Sequence, residues 1–153
     1  MDFLSNTHQK VYERVKGFLR ELMGEMNLRE VEEMPSFIVT AGSSNMLISV
    51  IPKDEENIFV MFIAGIATEI EKTPELMEYL LVENHNLIYG AFAIEPERGD
   101  VYYEYSIPGN DITKKSLEIA FKAMFSTADY YDDIIVGRFG GLRMLDKALM
   151  GRK

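Results

Sequence analysis

A chain of 153 residues and 17.5 kDa has the size of one ordinary domain, and residues 1–153 read as a single unit. At this size folding removes roughly two thirds of the chain's surface from water, enough for a core without disulfide or metal staples, and cysteine is absent. Sixteen basic against 25 acidic side chains leave a net charge of −9 and a pI near 4.7, which repels phosphate backbones and anionic headgroups and so argues against nucleic acid and membrane as partners.

Residues 11–26 place Val11, Val15, Phe18, Leu19, Leu22, Met23 and Met26 on one arc at helical spacing, opposite a solvated face of Glu13, Arg14, Lys16, Arg20, Glu21 and Glu25. This is an amphipathic helix, with Ser5 or Asn6 as its cap. Met34-Pro35 ends helical character, a short strand follows over 36–40, and Gly42-Ser43-Ser44 marks a turn. Strands over 46–51 and 58–64 flank the hairpin loop Pro52-Lys53-Asp54-Glu55-Glu56-Asn57. Pairing Val50 with Phe59, Ile48 with Met61 and Met46 with Ile63 puts those six on the core face. Leu47, Ser49, Ile51, Ile58, Val60 and Phe62 then form a second face that is nearly as apolar.

Thr73-Pro74 opens a second helix carrying Leu76, Met77, Leu80 and Leu81 on one side and stopping near His85-Asn86. A further hairpin joins 89–95 to 100–107 through Pro96-Glu97-Arg98-Gly99. Matching Ile94 to Val101 gathers Phe92, Ile94, Val101, Tyr103 and Tyr105 on one face, with the wetter Ala91, Ala93, Tyr102, Glu104 and Ser106 behind. The last long helix, 113–131, has a core stripe of Leu117, Phe121, Met124, Phe125 and Ala128, and a second stripe of Ile119, Ala123 and Tyr130 on its far side. Gly137-Arg138-Phe139-Gly140-Gly141 reads as a helix stop, with a short terminal helix over 142–150.

The order α-β-β-β-α-β-β-α belongs to an α+β domain, an antiparallel sheet of about five strands covered by helices. The longest apolar run, 58–67, is too short to span a bilayer, and Met1-Asp2-Phe3-Leu4 lacks a basic signal-peptide start, so the expectation is a cytoplasmic protein.

Leu80-Leu81-Val82-Glu83-Asn84, then Tyr89-Gly90-Ala91-Phe92-Ala93-Ile94-Glu95, an acidic turn with Gly99-Asp100-Val101, Ile107-Pro108, and a helix ending Ala128-Asp129-Tyr130-Tyr131 together resemble the YbjN-like family. That family shares its fold with the type III secretion chaperones, whose small size, acidic pI and richness in methionine this chain also resembles. It departs at Asn110-Asp111-Ile112, a loosened lead into the last helix. The resemblance implies a homodimeric, non-enzymatic module that holds extended or unfolded client polypeptides without cofactor or nucleotide, and it brings no catalytic residues.

Readings from chemistry-bearing residues are weaker. His8 and His85 have no metal-ligand or nucleophile spacing around them. Asp132-Asp133 and Glu32-Glu33 are adjacent carboxylates of the kind that stay solvated, and the glycines at 137–141 follow no phosphate-loop pattern. The ten methionines serve either as core filler or as adaptable contacts on a binding surface. Two function classes stay open: a chaperone-like protein-binding module, and a regulatory or small-ligand-binding domain. For the first, the expected partner-binding residues are Leu47, Ile51, Ile58, Val60 and Phe62 on the sheet and Ile119, Ala123 and Tyr130 on the last helix.

Overall fold

The computed structural model describes residues 1–24, 27–41 and 44–150. Glu25, Met26 and the turn expected at Gly42-Ser43 lie outside the described residues.

Helix α1 (Asn6–Met23) is capped by Ser5, whose Oγ accepts the His8 N–H at 3.1 Å, and it ends at Gly24 with φ 70°. Its buried residues Val11, Tyr12, Val15 and Leu19 recur every three or four positions, the helical spacing of one face. Three antiparallel strands follow after a short edge strand: β1 (Leu28–Glu30), β2 (Ser36–Ala41), β3 (Ser44–Pro52) and β4 (Ile58–Thr68). Helix α2 (Pro74–Asn86) starts as expected, with Thr73 as cap and Pro74 in the first turn. Strands β5 (Ala91–Ile94) and β6 (Val101–Pro108) then pair with Ile94 opposite Val101, the expected register. Their turn closes on Glu95, which accepts the Glu97 and Arg98 N–H groups, and on Gly99 at φ 79°. Helix α3 (Lys114–Phe139), strand β7 (Leu142–Arg143) and helix α4 (Met144–Met150) complete the chain.

The sheet order is β1-β2-β3-β4-β6-β5, antiparallel throughout. Residue Ala67 pairs with Val101 of β6 along one edge of β4, while β3 reaches only Ala64 along the other. The two-residue strand β7 fills that vacated edge, Arg143 opposite Ala67 and Leu142 opposite Thr68. The described sheet therefore has seven strands, two more than expected, because β1 and β7 are too short to carry a periodicity.

One register differs from the sequence expectation. Val50 lies opposite Val60, Ile48 opposite Phe62 and Met46 opposite Ala64, one residue off the expected pairing. The cause is the loop. Pro52 and Ile58 form the last pair, and the five residues between them close through Lys53 N–H to Asn57 C=O at 2.9 Å, with Asp54 Oδ1 accepting the Glu56 and Asn57 N–H groups. Since side chains alternate faces, a one-residue slip exchanges the faces of all of β4.

The three long helices pack on one face. Tyr12 of α1 stacks on Phe37 of β2 at 4.8 Å between ring centroids, and Tyr131 of α3 meets Phe92 of β5 at 5.0 Å. Between them lie Met46, Ile48, Ile58, Val60, Phe62, Ile66, Leu76, Leu117 and Met124, all essentially inaccessible to water. Helix α3 runs eight residues past its expected end, because Ile135 continues the buried stripe and Gly137 points into open space, where glycine costs the helix only about 1 kcal/mol. The stop falls within the expected glycine segment, at Gly140.

Candidate functional site

The three long helices cover one side of the sheet; the other side, helix-free in the sense that none of these three reaches it, carries a layer of half-buried apolar side chains with Met144 at the start of the short helix α4 over one end. The register builds this face in rows. Arg29, Ile38, Leu47, Ile63, Glu104 and Ala91 stand successively opposite one another from β1 to β5, so an apolar centre is closed at one side by a cation and at the other by a carboxylate. A second row, Ser36, Ser49, Met61 and Ser106, is mostly hydroxyl, and a third joins Ile51, Phe59 and Pro108. Ile38, Leu47, Phe59, Met61 and Ile63 are each half-buried, and Ile51 is 41% exposed.

Two depressions lie on this face. One of about 560 Å³ is lined by Ile38, Thr40, Asn45, Leu47, Ile63, Gly65, Tyr102 and Met144, and its neighbour of about 500 Å³ by Leu47, Ile63, Ala93, Pro96, Tyr102 and Glu104. Leu47, Ile63 and Tyr102 belong to both, so the two form a continuous trough across β3, β4 and β6. Burial pushes the Tyr102 phenol above its ordinary range, with the Asp100 carboxylate adding to the shift, so the ring stays neutral and offers an O–H at the trough wall.

Of the expected partner-binding residues on the sheet, Leu47 and Ile51 lie on this face. Ile58, Val60 and Phe62 do not. They are 1%, 0% and 0% exposed and point into the helix-covered core, the direct consequence of the one-residue register difference. The positions on β4 that replace them are Phe59, Met61 and Ile63. The α3 stripe is on the surface, with Ile119 40% and Tyr130 64% exposed and Ala123 half-buried, but it lies on the helical side of the molecule, away from the trough.

A second apolar surface escaped the sequence reading. Helix α2 buries Leu76 and Leu80 but leaves Met77, Leu81 and Val82 exposed, joined by Ile88 just beyond its end, at 91% exposed. Met77, Leu81 and Val82, together with Pro74 and His85, line a shallow depression of about 710 Å³. The signal was present in the sequence: apolar residues run consecutively at 80–82, too many for one side of a helix.

The residues considered for chemistry are dispersed. His8 is buried, its Nδ1 accepting the Leu4 N–H at 3.2 Å and its Nε2 donating to the Val50 carbonyl at 2.9 Å, so it ties α1 to β3. Asp132 and Asp133 point apart. Asp132 is 6% exposed and burial raises its carboxyl above the usual range, whereas Asp133 pairs with Arg143 at the surface, 3.2 Å away. Glu32 and Glu33 are exposed, and among the described residues no helix is long and apolar enough to cross a membrane.

The β5 edge of the sheet is closed by a side chain. Asn84 of α2 accepts the Phe92 N–H at 2.6 Å and donates to the Phe92 carbonyl at 3.3 Å, occupying both groups that a further strand would use.

Residues 9–147 match the family TY-Chap1, described as T3SS (YopN, CesT) and YbjN peptide-binding chaperone 1. An uncharacterized protein of Aquifex aeolicus (strain VF5) is 29% identical over 91 residues, 58% of this chain but 37% of that protein, so the chain spans little more than a third of this curated relative. Among solved structures, the fold is similar to a chain of the ExsC–ExsE complex, with a TM-score of 0.64 and 13% identity, over 81% of this chain and 95% of that one. It is similar also to a chain of the HopA1–SchA chaperone–effector complex, with a TM-score of 0.62 and 10% identity, over 82% and 96% of the two chains. YbjN from E. coli gives a TM-score of 0.55 at 10% identity, over 82% and 89%. At these identities the likeness to solved structures is one of fold. The match over residues 9–147 decides the family: the chain belongs to TY-Chap1.

Proposed function

We propose that this member of the TY-Chap1 family is a non-enzymatic module that holds an extended segment of a client polypeptide in the trough on the helix-free face of its sheet. The observation that carries the reading is the row Ile38, Leu47, Ile63 crossing three strands, apolar and half-exposed, with polar groups only at its ends. An extended peptide presents alternate side chains to one side, so its apolar positions seat in the trough while its backbone stays hydrated.

The affinity of one such face is modest. Each half-buried side chain has on the order of 40 Å² left to cover, about 1 kcal/mol at 25 cal/mol per Å². Leu47, Ile51, Phe59, Met61 and Ile63 together then contribute about 5 kcal/mol, at the lower edge of what association costs. Two faces acting on one client raise the effective affinity without new contacts, and self-association supplies them. The exposed stripe of Met77, Leu81, Val82 and Ile88 favours a homodimer, because exposures of 43%, 71%, 54% and 91% on neighbouring apolar residues are more than a lone soluble chain ordinarily leaves wet. Ile119 and Tyr130 of α3 extend the apolar surface available to it on the helical side. The cysteine-free, acidic composition suits the cytoplasm.

The test is a titration of the protein into a fluorescently labelled peptide alternating leucine and threonine, read by anisotropy, with Ile63→Asp as the control. The expected result is weak, saturable binding that is lost in the variant. Equal binding by both proteins refutes the trough as the site. Light scattering on the wild-type chain is expected to give about twice 17.5 kDa and on Leu81→Lys the single mass.

A further inference from the structure

The trough is partly filled by the chain itself. Strand β4 carries Gly65 on the helix-free face, and a Cβ placed there meets Met144 Cγ at 2.6 Å and Met144 Cβ at 3.0 Å, so Met144 lies in the space that a side chain at 65 would take. Met144 also lines the larger depression, beside Leu47, Ile63 and Tyr102. We propose that the C-terminal segment β7–α4 is a detachable strap that occupies one end of the trough through Met144 and competes with the client for it. The proposal rests on the reading of the trough as a peptide site.

Three features make the strap detachable. It is joined to α3 through Gly140 and Gly141, at φ 81° and 83°, two consecutive residues of the type with the widest backbone freedom, of which Gly140 stands in open space and Gly141 lies close against the Thr68 carbonyl and Ile70. Its strand pairing is two residues long, and α4 buries none of its residues. Two surface ion pairs tie it to the rest of the chain, Arg143 to Asp133 and Lys147 to Glu69, the last with both side chains half exposed, while Arg143 also pairs with Asp146 inside the strap itself. Such pairs contribute little in water and are weakened by salt. The latch partner Glu69 stands at φ 55°, a left-handed conformation uncommon for a non-glycine residue. The segment therefore combines a specific plug with a weak hold, the combination a displaceable competitor needs. A client that takes the Met144 position gains the site, and a state with the strap undocked binds more tightly in proportion to the population it adds.

The absence of native cysteine allows a direct test. The double variant Gly65→Cys with Met144→Cys puts two Cβ atoms about 3.0 Å apart, within a small adjustment of the roughly 3.5–4.5 Å of a disulfide. Oxidation then fixes the strap and reduction frees it in the same protein. The expected result is that the oxidised form binds the leucine–threonine peptide at least about tenfold more weakly than the reduced form. A second variant that leaves the trough untouched, Lys147→Glu, sets two carboxylates against each other at Glu69. It is expected to bind several-fold more tightly than wild type and to exchange its amide hydrogens at 142–144 faster. If oxidised and reduced forms both bind like wild type, or if the thiols do not bridge in the folded protein, the strap is wrong while the trough stands. If wild type, Lys147→Glu and both forms of the double variant all fail to bind, the peptide reading itself falls, and the strap's role falls with it.

Discussion

Met61 and Phe62 are neighbours in one strand and face opposite ways, so aspartate at each position has opposite consequences. Phe62 is 0% exposed, pairs across with Ile48 and lies 6.4 Å between ring centroids from Tyr105. Removing its ring costs about 3–5 kcal/mol in lost burial and cavity, and the carboxylate left in its place has no buried partner, which adds several more. The sum approaches the whole 5–15 kcal/mol by which a domain of this size is stable. Met61 is half-buried on the helix-free face between Ser49 and Ser106. Aspartate there loses about 1 kcal/mol of burial and keeps its charge in water. Urea denaturation followed by circular dichroism is expected to show Phe62→Asp unfolded or molten in buffer, and Met61→Asp folded with a midpoint only slightly lowered. Met61→Asp is also expected to lose peptide binding. If Met61→Asp unfolds and Phe62→Asp does not, the β3–β4 register is off by one residue and the trough has been drawn on the wrong face.

Asn84→Ala removes the amide that caps Phe92, which costs about 1–3 kcal/mol for the two groups left open and exposes the β5 edge. The expected outcome is a lower melting temperature together with concentration-dependent association beyond the wild-type state, checked by calorimetry and light scattering. Asp132 has a folded-state pKa raised by burial, so the folded form holds its proton more tightly than the unfolded chain, and this group's contribution to stability falls as pH rises from the unfolded value of about 3.9 through the raised one. Asp132→Asn is therefore expected to be more stable than wild type at neutral pH and to lose that advantage as pH falls toward 4, in thermal melts across the range. Ser5→Ala removes the cap that accepts the His8 N–H and is expected to cost about 1 kcal/mol in chemical denaturation.

Much of the fold was legible because it is written in strong local signals. Ser5 and Thr73 are caps, Pro74 starts a helix, and the turn at 96–99 fixes the pairing of Ile94 with Val101. In that hairpin the loop leaves one short connection. The 53–57 loop is different, because alternation along β3 and β4 is almost equally apolar in both phases, and only the five-residue closure on Asp54 selects between them. Periodicity therefore placed Leu47 and Ile51 correctly and turned Ile58, Val60 and Phe62 to the wrong side. The α2 surface was missed for a related reason: Leu80, Leu81 and Val82 are consecutive, and which of them is buried depends on where β5 and α3 lie. Strands β1 and β7, at three and two residues, exist through pairing alone.

A client on the helix-free face would be seen residue by residue in methyl NMR during titration with the leucine–threonine peptide. The methyl groups of Leu47, Ile51, Met61 and Ile63 are expected to shift or broaden together, while those of Ile48, Ile58 and Val60, on the opposite side of the same strands, stay in place. Shifts confined to Met77, Leu81 and Val82 of α2, with the sheet methyls unmoved, would contradict the account and move the client to the helical side.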